Sequence, residues 1–179
     1  FGAIGRILAR LCRGLGCRVL VYDPFPNETL VRELGAELVG LDELFETSDA
    51  ISIHVPYSKD THHLVDARRL AQMKPSAVIV NTARGNLIDE DALYHALKAR
   101  QICGAGLDVF AQEPLPTASP LLELDNLILS PHFSSQTVES LWNTYKMAID
   151  IADDFFSGRQ CPHILNPEYQ EHLPKPGVF

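Results

Sequence analysis

The sequence predicts an α/β protein in which helices cover both faces of a doubly wound, parallel β-sheet. Short β-branched segments alternate with amphipathic segments along most of the 179 residues. The β-branched segments are nearly continuous apolar runs, a pattern typical of parallel strands buried on both faces. With 46% hydrophobic and 21% charged residues, the composition is that of an ordinary globular domain. This alternation indicates a βαβ order.

Each predicted strand is a short β-branched or apolar run. In chain order, the strands are predicted over residues 18–22, 50–55, 77–82, 104–109 and 126–130. The sequence opens inside a glycine motif that normally follows a strand. We therefore expect that preceding strand to be missing from this chain.

Helical patterns lie between the strands. The first spans residues 5–15, with Ile7, Leu8, Leu11 and Leu15 on one stripe, and ends at Gly14-Leu15-Gly16. The others begin at Asn27 and Asp42, run from 66 to 73 before Pro75, and run from 89 to 100.

Two segments interrupt the alternation. Residues 112–120 carry three prolines and predict a loop with a restricted backbone. Residues 134–157 predict a long amphipathic helix whose face includes Leu141, Trp142 and Tyr145. We expect so bulky a face to dock on the sheet, on another domain or on a partner subunit.

Composition excludes several classes of protein. The formal charge of −8 and scattered cations argue against nucleic acid as a partner. No apolar run is long enough to span a membrane, and no leader is visible, so we expect a cytoplasmic protein with no membrane partner. The four cysteines form no CxxC pair. They are expected to be buried free thiols, and no metal site is expected.

The chain opens with Phe1-Gly2-Ala3-Ile4-Gly5, the second half of a G-x-G-x-x-G motif. A predicted helix and strand follow, and Asp23 ends that strand 21 residues beyond Gly2. In a dinucleotide fold, the glycines admit the pyrophosphate and the acidic residue binds the adenosine ribose. The alternative is a tight strand-to-helix turn and an ordinary turn aspartate before Pro24.

Three polar stretches follow predicted strands: His54-Val55-Pro56, Asn81-Thr82-Ala83-Arg84-Gly85 and Ser130-Pro131-His132-Phe133-Ser134. An open α/β sheet binds its ligand at that edge. Each stretch alone is ambiguous. Arg84 could form a surface ion pair, Glu113 could be a loop carboxylate, and His132 could be a hydrogen-bonded buried histidine.

Together, the strings VYDP, HVP, NTARGNLIDEDAL, GAGLDVFAQEP and SPHFSSQT resemble the NAD-dependent D-2-hydroxyacid dehydrogenases, from Phe1 to about Pro167. The resemblance implies a Rossmann-like domain over residues 1–133, a docking helix over 134–158, and an extended segment over 159–179 that returns toward a substrate domain mostly absent here. It also implies a homodimer for the full-length protein.

The resemblance assigns Arg84 to the substrate carboxylate, His132 to acid/base chemistry and Glu113 to pairing with His132. It implies NAD as cofactor, with the following contact residues: Gly2, Ala3, Ile4, Gly5, Asp23, Val55, Pro56, Thr82, Ala83, Arg84, Asp108, His132, Ser134 and Ser135. The small-molecule partner would be a 2-hydroxy or 2-keto acid. The missing substrate domain leaves the particular acid open, and Phe133 and Ser134 depart from several relatives.

The chemistry of these residues agrees with that assignment. Reducing a 2-keto acid requires a cation for the carboxylate, a hydride donor and a proton donor for the developing alkoxide. Arg84 can grip a carboxylate by two bonds, and a histidine titrates near neutrality. Glu113 would orient the imidazole and favour its protonated form.

An NAD-binding co-repressor or scaffold on the same fold is the alternative, because such relatives can retain all three residues. Formate dehydrogenase is disfavoured, because those enzymes pair the histidine with Gln and this chain has Glu113.

Overall fold

The computed structural model describes residues 1–159, 161, 164–166 and 168. The chain divides into two compact units, Phe1–Ser134 and Ser135–Phe179. Most of the extended segment predicted over 159–179 lies outside the described residues, and the three predicted domain boundaries stay predictions.

The first unit contains six parallel strands. They are β1 (Leu20–Val21), β2 (Glu37–Leu38), β3 (Ala50–Ile53), β4 (Val78–Asn81), β5 (Gly104–Leu107) and β6 (Leu127–Leu129). All five predicted strands are present, each shorter than expected. Strand β2 was not predicted, because it is two residues long, its side chains are exposed, and it forms no apolar run.

The helices occupy the predicted intervals. They are α1 (Ala3–Gly14), α2 (Glu28–Glu33), α3 (Leu41–Thr47), α4 (Ala67–Gln72), α5 (Glu90–Lys98) and, in the second unit, α6 (Val138–Phe156). Carboxylate or amide oxygens of Asn27, Asp66 and Asp89 accept hydrogen bonds from first-turn amides of α2, α4 and α5. Residues 112–119 form a loop, as predicted.

Three helix starts differ from the prediction. Helix α3 begins at Leu41, with Gly40 as its N-cap residue, rather than at Asp42. Helix α1 begins at Ala3, with Gly2 as its N-cap residue, so Gly5 lies inside the helix. Helix α6 begins at Val138 rather than Ser134, because the Thr137 hydroxyl accepts a hydrogen bond from the Ser140 amide and caps the helix there. The helix therefore starts after the Thr137 cap and not at the serine residues that precede it.

The core lies on one face of the four-stranded sheet β3-β4-β5-β6, against α3, α4 and α5. Ile51, Ile79 and Ala105 are aligned by the strand register and are all buried. The opposite face carries a row that includes Ser52, Val80 and Ile128, which are exposed. Helices α3, α4 and α5 thus pack on one face of this sheet.

Strands β1 and β2 form a sheet of their own. The start of α1 lies next to the ends of both sheets: the amino group of Phe1 contacts Asp23, just after β1, and Gly5 lies beside His54, just after β3. In the described residues, no strand joins β1 to β3. This is the interruption expected where a first strand is absent.

The prediction that the cysteines are buried is wrong. Cys17 and Cys103 are exposed, and Cys12 and Cys161 are partly exposed; all four are free thiols. Cys103 shows the reason. It lies between buried Ile102 and buried Gly104, so the alternation of an extended backbone turns its side chain outward.

In the second unit, no residue of α6 is buried. The bulky face predicted from the sequence is exposed, with Trp142 at 70% and Ile149 at 68% of full accessibility. What it docks against stays a prediction. None of the described helices has the length and apolar character needed to cross a membrane.

Candidate active site

The candidate site lies at the edge of the sheet where the parallel strands end. His54, Thr82, Asp108 and Ser130 directly follow β3, β4, β5 and β6. Because all four strands are parallel, their carboxyl ends meet at one edge, and the three polar stretches singled out from the sequence converge there.

The turn after β4 is built by Asn81, which is fully buried. Its Nδ2 donates to the Arg84 carbonyl oxygen at 2.8 Å, and its Oδ1 accepts from the Ala83 amide at 3.0 Å. The Arg84 side chain is exposed and donates from Nη1 to the Ala83 carbonyl oxygen at 2.6 Å. Asn81 therefore fixes the backbone from which Arg84 projects.

Gly85, the next residue, packs against the backbone of the loop that carries Glu113. A Cβ atom at Gly85 would lie 1.9 Å from the carbonyl carbon of Phe110, a separation that side chains cannot adopt. Glycine at this position lets the loop approach the turn. The loop folds back on itself, because Glu113 Oε1 accepts the Phe110 amide at 3.0 Å.

Glu113 and His132 form the pair predicted from the sequence. Glu113 Oε2 lies 2.8 Å from His132 Nδ1. The hydrogen bond from His132, with that from the Phe110 amide, lowers the pKa of Glu113 below its ordinary value. Since Nδ1 is engaged by Glu113, Nε2 is the ring nitrogen left to exchange a proton.

The backbone of His132 is in the left-handed region, with φ of 54°. The strained conformation is supported by Asp108, which is 3% exposed. Asp108 Oδ1 accepts the Ser130 hydroxyl at 2.6 Å and the Phe133 amide at 2.8 Å. Oδ2 accepts the Ser134 amide at 3.0 Å. One buried carboxylate thus holds both sides of the turn that presents His132.

Burial alone would raise the pKa of Asp108. Hydrogen bonds from Ser130, Phe133 and Ser134 outweigh it and hold that pKa well below its ordinary value. Asp108 is therefore ionised throughout the pH range in which a histidine titrates. The sequence assigned Asp108 to the cofactor; the structure adds a support role for His132 that the sequence did not predict.

Arg84, Glu113 and His132 line one cavity of about 380 Å³, together with Tyr57, Asn86 and Phe110. Another cavity, of about 250 Å³, lies near Tyr94 and Asp125 and contains no predicted site residue. The structure therefore brings together the three residues assigned to substrate chemistry.

The glycine turn and Asp23 are also brought together. No side chain caps α1, so its first-turn amides are available to an anion, and a Cβ at Gly2 would meet no atom within 4 Å. Asp23 Oδ1 accepts the Phe25 amide at 2.8 Å. An anion site beside a carboxylate fits the pyrophosphate and ribose of a dinucleotide.

The other predicted cofactor residues lie along the same edge, with one exception. Val55 packs against the core, the Pro56 carbonyl oxygen accepts the Thr61 hydroxyl at 2.9 Å, and Thr82 is exposed. Ala3 and Ile4 form the first turn of α1. Ser135 begins the second unit, so its position relative to these residues is not described.

Sequence reasoning missed Tyr57 and Asn86 in the cavity and the role of Asn81 in the turn. Tyr57 directly follows Pro56, and its hydroxyl lies 3.3 Å from His62 Nδ1. The signal was available, because each of these residues lies within a few positions of a predicted strand end.

Comparison with known proteins agrees with this geometry. Residues 1–134 match the family described as D-isomer specific 2-hydroxyacid dehydrogenase, NAD binding domain. A glyoxylate reductase of Korarchaeum cryptofilum is 43% identical over 167 residues, which are 93% of this chain and 50% of that protein. A D-3-phosphoglycerate dehydrogenase of Synechocystis is 44% identical over 152 residues, 85% of this chain and 27% of that protein.

Among solved structures, the D-lactate dehydrogenase of Lactobacillus jensenii with NAD⁺ superposes with a TM-score of 0.85 at 28% identity. The match covers 91% of this chain and 52% of that one. The chain thus spans about half the length of the glyoxylate reductase and of the D-lactate dehydrogenase, and about a quarter of the length of the phosphoglycerate dehydrogenase. The predicted Rossmann-like fold and the NAD cofactor are confirmed, and the chain belongs to the D-isomer-specific 2-hydroxyacid dehydrogenase family, of which it carries the NAD-binding domain.

Proposed function

We propose that the full-length protein is an NAD-dependent oxidoreductase that interconverts a D-2-hydroxy acid and the corresponding 2-keto acid. The observation that carries this proposal is the 2.8 Å contact between Glu113 Oε2 and His132 Nδ1, in the cavity that Arg84 also lines. A cation for the substrate carboxylate, an acid/base group and the carboxylate partner of that group therefore line the same cavity.

Each residue has a distinct task in keto-acid reduction. Arg84 binds the substrate carboxylate and polarises the neighbouring carbonyl, because its planar guanidinium can donate two parallel hydrogen bonds. His132, protonated, donates a proton from Nε2 to the oxygen that becomes the hydroxyl. Glu113, ionised, orients the ring and favours its charged form. In the reverse direction, neutral His132 accepts that proton.

NAD supplies the redox chemistry when bound, accepting or giving two electrons with one hydrogen. The residues proposed to hold it are Gly2 to Gly5 at the pyrophosphate, Asp23 at the ribose, and Val55, Pro56, Thr82, Ala83, Asp108 and Ser134 along the strand ends, together with Ser135 at the start of the second unit.

The names of the relatives narrow the substrate class. They include glyoxylate reductases, phosphoglycerate dehydrogenases and a hydroxypyruvate reductase. We infer a small 2-keto acid as the substrate in the reductive direction.

The test is oxidation of NADH by the full-length protein with glyoxylate, hydroxypyruvate and phosphohydroxypyruvate. We expect turnover with at least one of them. His132→Gln should lower kcat by about 10²-fold or more, the usual contribution of a positioned acid/base group. Arg84→Lys should mainly raise KM, because one flexible ammonium replaces a planar donor pair.

NADH binding without turnover of any 2-keto or 2-hydroxy acid would contradict the proposal. That result would favour an NAD-binding co-repressor or scaffold on the same fold.

We further propose that the full-length protein is a cytoplasmic homodimer. Support for the dimer comes from α6, where Val138, Trp142 and Ile149 are exposed on a helix with no buried residue. Sedimentation of the full-length protein, with Trp142→Glu as the disrupting variant, tests this arrangement.

A further inference from the structure

A second carboxylate holds the loop that carries Glu113. Glu90, in the first turn of α5, accepts the Ala111 amide at 2.6 Å through its Oε1 atom. Glu90 is not the cap of that helix. Asp89 is the cap, and its Oδ1 accepts the Asp91 and Ala92 amides at 3.1 Å each. The Glu90 carboxylate therefore bonds to the loop and not to its own helix in this contact.

Two consecutive amides of the loop are thus held by two carboxylates. Glu113 Oε1 accepts the Phe110 amide at 3.0 Å, and Glu90 accepts the next amide, that of Ala111. On the other side, the backbone of Phe110 presses on Gly85 so closely that a Cβ would overlap it. Residues 110–113 are fixed between the turn after β4 and the start of α5.

The placement of this loop decides whether Glu113 reaches His132. Glu113 is itself exposed, and its two oxygens bond to Phe110 and His132. The carboxylate can meet the imidazole at 2.8 Å only while residues 110–113 keep their turn. The contact from Glu90 ties that turn to α5, which packs in the main core through Leu93 and Leu97.

We propose that Glu90 is a positioning residue for the acid/base pair: it holds the Ala111 amide and thereby keeps Glu113 against His132. The inference rests on the proposed function for its effect on turnover. Its structural content, that Glu90 maintains the hydrogen bond between Glu113 and His132 through the loop, can be measured without turnover.

The test uses the full-length protein with three variants. Glu90→Ala removes the acceptor, Glu90→Gln keeps an oxygen that can accept the Ala111 amide, and Asp91→Ala is the matched control. Asp91 is the next acidic residue of the same helix turn, and its exposed carboxylate lies 3.8 Å from His95. Each protein is labelled at histidine, and the His132 ring is assigned by comparison with His132→Gln.

We expect the Nδ1 chemical shift of the His132 ring to change in Glu90→Ala, because a displaced Glu113 no longer bonds to that nitrogen. The alkaline limb of reductive kcat/KM should also move to lower pH. The KM for the keto acid should change little, since Arg84 is held by Asn81. Glu90→Gln should show little of either change, and Asp91→Ala should match the wild type.

Three results would overturn the inference. One is an unchanged Nδ1 chemical shift of His132 in Glu90→Ala, with or without a lower Tm, which would make the contact merely structural. Another is an equal change in Glu90→Gln, which would show that acceptance of the amide is irrelevant. The third is the same change in Asp91→Ala, which would indicate a general effect of negative charge at the helix start.

Failure of the proposed function has a different signature. If the wild-type protein turns over no 2-keto acid, the function is wrong, and the His132 Nδ1 chemical shifts of the same four proteins still decide the role of Glu90.

Discussion

His132 combines a left-handed backbone with a carboxylate partner at 2.8 Å. A residue with a side chain normally avoids this backbone region, and its conformation costs about 1–3 kcal/mol. The buried Asp108 carboxylate offsets that cost through three hydrogen bonds to the same turn. The result is a histidine held in one orientation toward Glu113.

The partnership between Glu113 and His132 leads to a prediction about pH. The pKa of Glu113 lies below its ordinary value. Its carboxylate is therefore ionised at every pH above that ordinary value, and it becomes protonated only when the pH falls through the lowered pKa. Throughout the neutral range, Glu113 therefore stabilises imidazolium. Reduction needs that proton, so activity should fall as pH rises, whereas oxidation of the hydroxy acid should rise.

In Glu113→Gln, the shape is kept and the charge is lost. We expect the alkaline limb of the reductive kcat/KM profile to move to lower pH by about half to one unit, with substrate binding through Arg84 largely intact. Glu123→Gln, an exposed acid outside the cavity, is the control. An unchanged limb would mean that Glu113 does not act on His132 and that its loop is only structural.

Asp23 leads to a prediction about cofactor preference. Its carboxylate follows β1 near the start of α1, and the next residues, Pro24, Phe25 and Pro26, carry no cation to neutralise the 2′-phosphate of NADP. We expect kcat/KM to be about tenfold or more higher with NADH than with NADPH, since ~1.4 kcal/mol of repulsion changes affinity tenfold.

Asp23→Ser should narrow that gap, while Glu37→Gln, which removes an acid on the neighbouring strand, should leave it unchanged. Equal or better kcat/KM with NADPH in the wild-type protein would refute the assignment of Asp23 to the ribose.

Among the elements of the fold, the turn after β4 and the loop over residues 110–113 are in close backbone contact at Gly85. Gly85 has no room for a Cβ, because the nearest atoms belong to the backbone of Phe110 and Ala111. A backbone cannot move aside as the end of a flexible side chain can. The turn and the loop must separate if any side chain is introduced.

We therefore expect Gly85→Ala to lower the free energy of unfolding by about 1–3 kcal/mol or more and to reduce kcat, since the loop carries Glu113. The matched control is Gly14→Ala at the end of α1, where a Cβ would meet no atom within 4 Å. Denaturant unfolding and steady-state kinetics of both variants test this. Wild-type stability in Gly85→Ala would show that the loop does not approach the turn so closely.

On the level of the whole molecule, the two parallel sheets are not joined by strand pairing within the described residues. Strands β1 and β3 each have one edge without a partner strand there, and unpaired backbone groups are costly unless water or another segment satisfies them. Ile4, Ile7 and Leu11 of α1 are also exposed, as is much of α6.

We expect residues 1–179, produced alone, to lack a single cooperative thermal transition. Calorimetry together with near-ultraviolet circular dichroism would show this, with the full-length protein as the control. A sharp two-state transition of the isolated residues 1–179 would contradict the expectation and would show that the two sheets are stable without a strand between them.

The sequence by itself determined the parallel α/β class, five of six strands, and the order of helices, because apolar runs and cap residues are local signals. It also predicted Arg84, Glu113 and His132 as a set, although only through their resemblance to a family. Tertiary structure decided what local signals cannot carry. Position 85 must be glycine because a loop 25 residues later in the sequence packs against it. Asp108 supports His132 because three donors from the turn after β6 fold back onto its carboxylate. These properties depend on contacts between distant parts of the chain, and such contacts exist only after the chain has folded.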